Sequence, residues 1–106
     1  MEGKTILVAE DVASNYLFID ILLRSENYDV IHAMNGYEAV ETVRRQDVDL
    51  VLMDLKMPVM DGLEATRIIR KMERPDAVQI PIFAMTANAF SDDRKRCKEA
   101  GMTEHL

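Results

Sequence analysis

The chain has 106 residues, a 48% apolar share and a formal charge of −6, so it fits one small domain spanning residues 1–106 around a single core. No stretch approaches the roughly 18 consecutive apolar residues of a membrane helix, and the first residues do not read as a secretory leader. The acidic balance argues against nucleic acid as a direct partner, because phosphate binding needs clustered Lys and Arg.

Strand-like and helix-like segments alternate along the chain, with no internal repeat and no Gly/Ser linker. Thr5 to Ala9 is a short apolar run and predicts a buried strand. Ser14 to about Ser25 predicts a helix with Leu17, Phe18, Ile21 and Leu22 as its apolar stripe. Tyr28 to Ala33 predicts a second, weaker strand, and Asn35-Gly36 a turn. Tyr37 to Arg45 predicts a helix with Val40 and Val43 facing inward. Leu50 to Met53 predicts the third strand. Asp61-Gly62 opens a helix in which Ala65, Ile68, Ile69 and Met72 share a face. Glu73 to Gln79, with Pro75-Asp76, reads as a loop. Ile80 to Met85 predicts the fourth strand, with Pro81 near its start, where proline is tolerated. Ala89 to Ala100 predicts a charged helix closed by Gly101 as its C-cap. Within it, Arg94-Lys95-Arg96 and Lys98 interleave with Asp92, Asp93 and Glu99, as on a solvated helix face. Cys97, the one cysteine, excludes an internal disulfide, reads as a structural thiol and suits a reducing, cytoplasmic setting. Glu104 to Leu106 begins a fifth strand.

This alternation predicts a parallel sheet with helices on both faces and right-handed crossovers. The strand runs are short and continuously apolar, as buried parallel strands are. Two of them end in acid: Glu10-Asp11 follows the first and Asp54 follows the third. Parallel strands point the same way, so Glu10, Asp11, Asp54 and Thr86, at the end of the fourth, meet at one rim. In open α/β sheets that rim binds ligands. Singly, each of these residues would be an ordinary polar residue at a strand–loop junction. Together they make a charge problem, because three neighbouring carboxylates repel. A divalent cation relieves it, and an oxygen-only ligand set favours Mg²⁺ over zinc or copper. A carboxylate beside Mg²⁺ can accept a phosphoryl group, with the metal offsetting charge on the transferring oxygens. The Thr86 hydroxyl could then bond a phosphoryl oxygen.

Three stretches carry a family likeness. They are Ile6-Leu7-Val8-Ala9-Glu10-Asp11, then Met53-Asp54-Leu55-Lys56-Met57-Pro58-Val59-Met60-Asp61-Gly62, and Ile82-Phe83-Ala84-Met85-Thr86-Ala87-Asn88-Ala89. In this order and spacing they resemble the response-regulator receiver domain of two-component signalling. The resemblance implies a flavodoxin-like, doubly wound α/β fold with strand order 2-1-3-4-5. It implies a phosphoacceptor signalling domain rather than an enzyme, one that assists its own phosphorylation and dephosphorylation. Asp54 would accept the phosphoryl group from the phosphohistidine of a histidine kinase or phosphotransfer domain. Asp11, Asp54 and the backbone carbonyl of Lys56 would ligate Mg²⁺, and Glu10 would hold a metal-bound water. Thr86 would be the switch hydroxyl, with Ala87 leaving room for the phosphate and Lys56 and Asn88 influencing its lifetime. Output would run through the face of the fourth helix and fifth strand. Asn15 and the Thr-Ala-Asn-Ala stretch look most like receivers attached to hybrid histidine kinases.

The family continues into a fifth strand, a Lys-Pro dipeptide and a fifth helix, which leads us to expect a C-terminally truncated domain here, with the fifth strand incomplete and the fifth helix absent. His105 falls where the family has a switch aromatic, so a modulating role follows. A nearly bare fourth strand and an uncovered sheet face predict a dimer or swapped dimer, or a poorly stable fold. A light-scattering monomer with a sharp thermal transition would sink that expectation. The alternative function is an interaction-only receiver with lost or impaired switching. A haloacid-dehalogenase-type phosphatase would need an acid two residues after Asp54, where Lys56 stands. A flavodoxin would need a phosphate loop where Glu10-Asp11 would repel the ligand.

Overall fold

In the computed structural model the described residues are 4–73, 77, 79–85 and 91–105. They form β1 (Thr5–Ala9), α1 (Ala13–Ser25), β2 (Asp29–Ala33), α2 (Gly36–Arg45), β3 (Leu50–Asp54), α3 (Gly62–Arg70), β4 (Ile82–Met85), α4 (Ser91–Ala100) and β5 (Glu104–His105). Thr86, Ala87 and Asn88, read above as switch and modulating residues, lie outside the described residues, and so does the side chain of His105.

All strand pairs are parallel and the sheet order is β2-β1-β3-β4-β5, the doubly wound arrangement expected. β1 lies between β2 and β3 and is buried on both faces, which is why its run Ile6-Leu7-Val8-Ala9 shows no alternation. β5 is short: Glu104 and His105 pair with Phe83 and Ala84 of β4. β4 starts at Ile82 rather than Ile80. Pro81 has no N–H to give, and its carbonyl oxygen accepts from Val51 at 2.9 Å. Ala77 and Gln79 are helical where a loop was expected, and Ala77 is buried.

Successive side chains of each strand go to opposite faces and build two cores. On one face Leu7, Val51, Met53, Ile82 and Ala84 pack under α2, α3 and α4 through Val40, Val43, Ala65, Ile69 and Cys97. On the other, Ile6, Val8 and Val30 pack under α1. Each fully buried Leu, Ile or Val there contributes about 1.5–3 kcal/mol from apolar burial.

The seating of α1 differs from the expected one. Leu17, Phe18, Ile21 and Leu22 are 56%, 66%, 67% and 52% exposed. The residues against the sheet are Tyr16, Ile19 and Leu23. These also recur at helical spacing, so α1 carries two apolar stripes, and periodicity alone does not choose between them. Polar contacts at the sheet rim choose: Asn15 and Tyr16 are both engaged there, as described below. After α1, Asn27 takes the left-handed conformation (φ 69°). Its N–H and that of Tyr28 bond back to Arg24 and Leu23, a Schellman closure. Gly101 (φ 107°) ends α4 as expected. At the end of α3, the half-buried Arg70 guanidinium donates to the carbonyls of Gly101 (2.8 Å) and Ala77 (3.1 Å), tying α3 to the segment before β5. Among the described residues no helix is long and apolar enough to cross a membrane.

Candidate functional site

Ala9 and Met53 are opposite one another in the β1–β3 register. The next residues, Glu10 and Asp54, therefore leave adjacent strands side by side, and Asp11 follows. The carboxylate oxygens of Glu10, Asp11 and Asp54 come within 4.8 Å of one another. Asp54 is opposite Met85, the last described residue of β4. The expected convergence of three acids at one rim is thus present. Thr86 follows Met85 in the chain, outside the described residues.

The segment after Asp54 is folded back against the rim. Gly62 N–H donates to the Leu55 carbonyl at 3.1 Å, and Gly36 N–H donates to the Met60 carbonyl at 2.8 Å. Lys56 N–H reaches Asp54 Oδ1 at 3.5 Å. Asp61 caps α3 by accepting from Glu64 N–H at 2.9 Å. Gly62 is required for this approach: a Cβ there would sit 2.1 Å from the Asp54 carbonyl oxygen and 2.8 Å from Met53 Cγ. The Asp-Gly pair thus starts α3 while letting its first turn press on the backbone of Asp54. Val59, at the exposed tip, holds a positive φ of 68°, which is costly for a β-branched residue.

Glu10 is buried, at 4% exposure, among like charges. Burial is the largest cause that pushes its carboxyl from 4.5 up to about 7; a hydrogen bond with Asp54 and the negative charges of Asp54 and Asp11 push the same way. Asn15 Nδ2 donates to Glu10 Oε1 at 2.8 Å and pulls in the opposite direction.

The sign of the stability effect follows. The carboxyl is raised in the folded state, so its contribution is fully present below pH 4.5 and is lost as pH rises through about 7. Glu10→Gln therefore raises the thermal midpoint of the chelator-treated protein at pH 8, by about 4–8 °C per kcal/mol recovered, and leaves it unchanged near pH 4. Equal midpoints at pH 8 would contradict the assignment.

Two partners of Glu10 carry little signal in the sequence. Asn15 stands out there only by the likeness to hybrid-kinase receivers. It lies in the first turn of α1, where its amide reaches back to the acid, a contact that its spacing of five from Glu10 permits without announcing. His32 Nε2 lies 2.8 Å from the Glu10 carbonyl oxygen, and its ring stacks on Tyr16 with centroids 3.5 Å apart and planes 8° apart. The sequence signal was a lone His near the end of a strand.

A family model for the response regulator receiver domain matches residues 6–106. The chain belongs to the receiver family. Among curated proteins, the receiver is 39% identical to hybrid signal transduction histidine kinase B of Dictyostelium discoideum over 97% of the chain. It is 36% identical to the sensor protein GacS of Pseudomonas syringae over 95% of the chain. It spans only 6% and 11% of the lengths of those two relatives. Among solved structures, it superposes with a TM-score of 0.90 and 43% identity on the receiver domain of sensor histidine kinase PA1611 of Pseudomonas aeruginosa. That match covers 98% of this chain and 84% of the other, and that receiver has a magnesium ion coordinated in its active site cleft. The receiver domain of Saccharomyces cerevisiae Ssk1, crystallised with the phosphotransfer protein Ypd1, matches at 29% identity and TM-score 0.90, over 97% of this chain and 77% of that one. The receiver reading and the doubly wound fold therefore stand. The likeness to hybrid kinase receivers agrees with the relatives found.

Proposed function

We propose that this receiver takes a phosphoryl group onto Asp54 from the phosphohistidine of a histidine kinase or phosphotransfer protein, in a cytoplasmic two-component relay, with Mg²⁺ as cofactor. The observation that carries the reading is the convergence of Glu10, Asp11 and Asp54 carboxylates within 4.8 Å at the ends of β1 and β3. Such a set fits a hard, oxygen-loving divalent cation. The magnesium-bearing receiver at 43% identity supports the same choice.

Asp11 and Asp54 would be direct ligands with the carbonyl of Lys56, and Glu10 would act through water. Mg²⁺, when bound, supplies positive charge at the transferring oxygens. An Asp54 carboxylate oxygen attacks phosphorus, the P–N bond to the donor imidazole breaks, and the imidazole leaves with the bond's electron pair and picks up a proton. The product is an acyl phosphate on Asp54. The first turn of α3, pressed through Gly62 on the backbone of Asp54, would hold its carboxylate in place for the transfer. Thr86 would then bond a phosphoryl oxygen, with Ala87 leaving space, and Lys56, Asn88 and His105 modulating lifetime and switching. These roles at 86–88 and 105 rest on family likeness.

The test is incubation with acetyl phosphate, with and without Mg²⁺, read by intact mass. A gain of one phosphoryl group that requires Mg²⁺ is expected. No gain, or an equal gain in chelator, would defeat the proposal.

A further inference from the structure

We propose that His32 is a positioning residue for the acidic site, fixing the Glu10–Asp11 peptide from β2 through a ring clamped by Tyr16. The inference rests on the Mg²⁺ reading above and adds the residue that holds the ligand backbone in register.

Glu10 stands one residue past β1, at the point where the β1–β2 ladder runs out. Its N–H still finds a ladder partner, the Ala33 carbonyl at 3.0 Å. Its carbonyl oxygen is taken by a side chain instead, His32 Nε2 at 2.8 Å. A carbonyl oxygen only accepts, so Nε2 carries the hydrogen, and the tautomer is set by the contact. β2 therefore grips both polar groups of the Glu10 main chain, one by backbone and one by imidazole. The carbonyl of Glu10 belongs to the same planar peptide as the nitrogen of Asp11. Holding that oxygen holds the plane from which the Asp11 side chain departs.

The ring itself is held. His32 lies face to face with Tyr16 of α1, centroids 3.5 Å apart and planes within 8°. The Tyr16 hydroxyl donates to Asp20 Oδ1 at 3.4 Å, and Arg24 Nε donates to the same oxygen at 2.7 Å. Arg24 returns to β2 by donating to the Val30 carbonyl at 3.3 Å. The imidazole is thus confined between its acceptor and a tethered aromatic ring. From the other side of Glu10, Asn15 of the same helix holds the carboxylate at 2.8 Å. Backbone and side chain of Glu10 are positioned by residues that do not themselves touch a cation. Outer partners of this kind alter metal affinity by roughly 10–100-fold when removed from metal sites.

The experiment is calorimetric titration of Mg²⁺ into the full chain, well below its thermal midpoint, alongside the midpoint of the chelator-treated protein. His32→Phe keeps the stacked ring and removes the donor; about tenfold weaker Mg²⁺ binding is expected. His32→Gln restores an N–H donor and is expected to recover part of that loss. Val43→Ala, in the opposite core, is expected to lower the midpoint without changing Mg²⁺ affinity. If His32→Phe does not fold, Tyr16→Leu, which removes the clamp from the helix side, is expected to weaken Mg²⁺ binding in its place. Wild-type affinity in His32→Phe, or in Tyr16→Leu where that variant stands in, would overturn the positioning role. Loss of affinity in step with the midpoint for Val43→Ala as well would reduce the effect to stability and overturn it too. Failure of the wild-type chain to bind Mg²⁺ at all would instead overturn the metal reading on which it rests.

Discussion

Asp54→Asn is expected to lower phosphoryl incorporation from acetyl phosphate by at least about 100-fold, because an amide oxygen is a poor nucleophile beside a carboxylate. The same variant is expected to make the chelator-treated protein more stable at pH 8. Glu10, Asp11 and Asp54 lie within 4.8 Å, so neutralising one removes two repulsions. The thermal midpoint should rise by about 4–8 °C for each kcal/mol recovered. Loss of labelling together with a gain in stability is the signature of a site that stores repulsion until a cation or phosphoryl chemistry uses it. Mass spectrometry of the labelled protein and a thermal melt measure the two halves. Labelling at the wild-type level would remove Asp54 from its proposed role.

Gly62→Ala is expected to have the second large effect, this time through the backbone. Its Cβ would lie 2.1 Å from the Asp54 carbonyl oxygen, a fixed main-chain atom that cannot swing aside. The first turn of α3 must then retreat, breaking the Gly62–Leu55 hydrogen bond and shifting the end of β3. Overpacking of this kind costs about 1–3 kcal/mol, and a backbone obstacle puts it at the upper end. Denaturant unfolding is expected to show that loss. Acetyl phosphate labelling of the folded fraction is expected to fall about tenfold or more, since small misplacements of a reacting group cost large factors in rate. A variant with wild-type stability would mean that the loop does not bear on Asp54 as described.

Much of the fold was legible because its signals are local. Short apolar runs separated by helical spacings predict a parallel sheet, and β1, β3 and α2 lie within a residue or so of where those runs place them. The acidic cluster was legible because strand direction alone brings the ends of β1 and β3 together. The seating of α1 was not legible. Its two stripes, Leu17-Phe18-Ile21-Leu22 and Tyr16-Ile19-Leu23, both satisfy helical periodicity, and the choice is made by tertiary contacts from Asn15 to Glu10, just past β1, and from Tyr16 to His32 of β2. The helical conformation of Ala77 was hidden by Pro75-Asp76, a local turn signal beside a residue that burial holds in the core. His32 was invisible for a further reason. Its ring ends on the carbonyl of Glu10, just past β1, and no spacing within β2 encodes that contact.

Asp54 is the proposed phosphoacceptor. Borohydride reduces an acyl phosphate to an alcohol, which converts a phosphorylated aspartate to homoserine. Peptide mapping of the acetyl phosphate-treated, borohydride-reduced protein locates the phosphorylated residue. Homoserine at position 54, dependent on Mg²⁺, is the result expected. Homoserine at Asp11 or another carboxylate, or none in a folded protein that binds Mg²⁺, would contradict it.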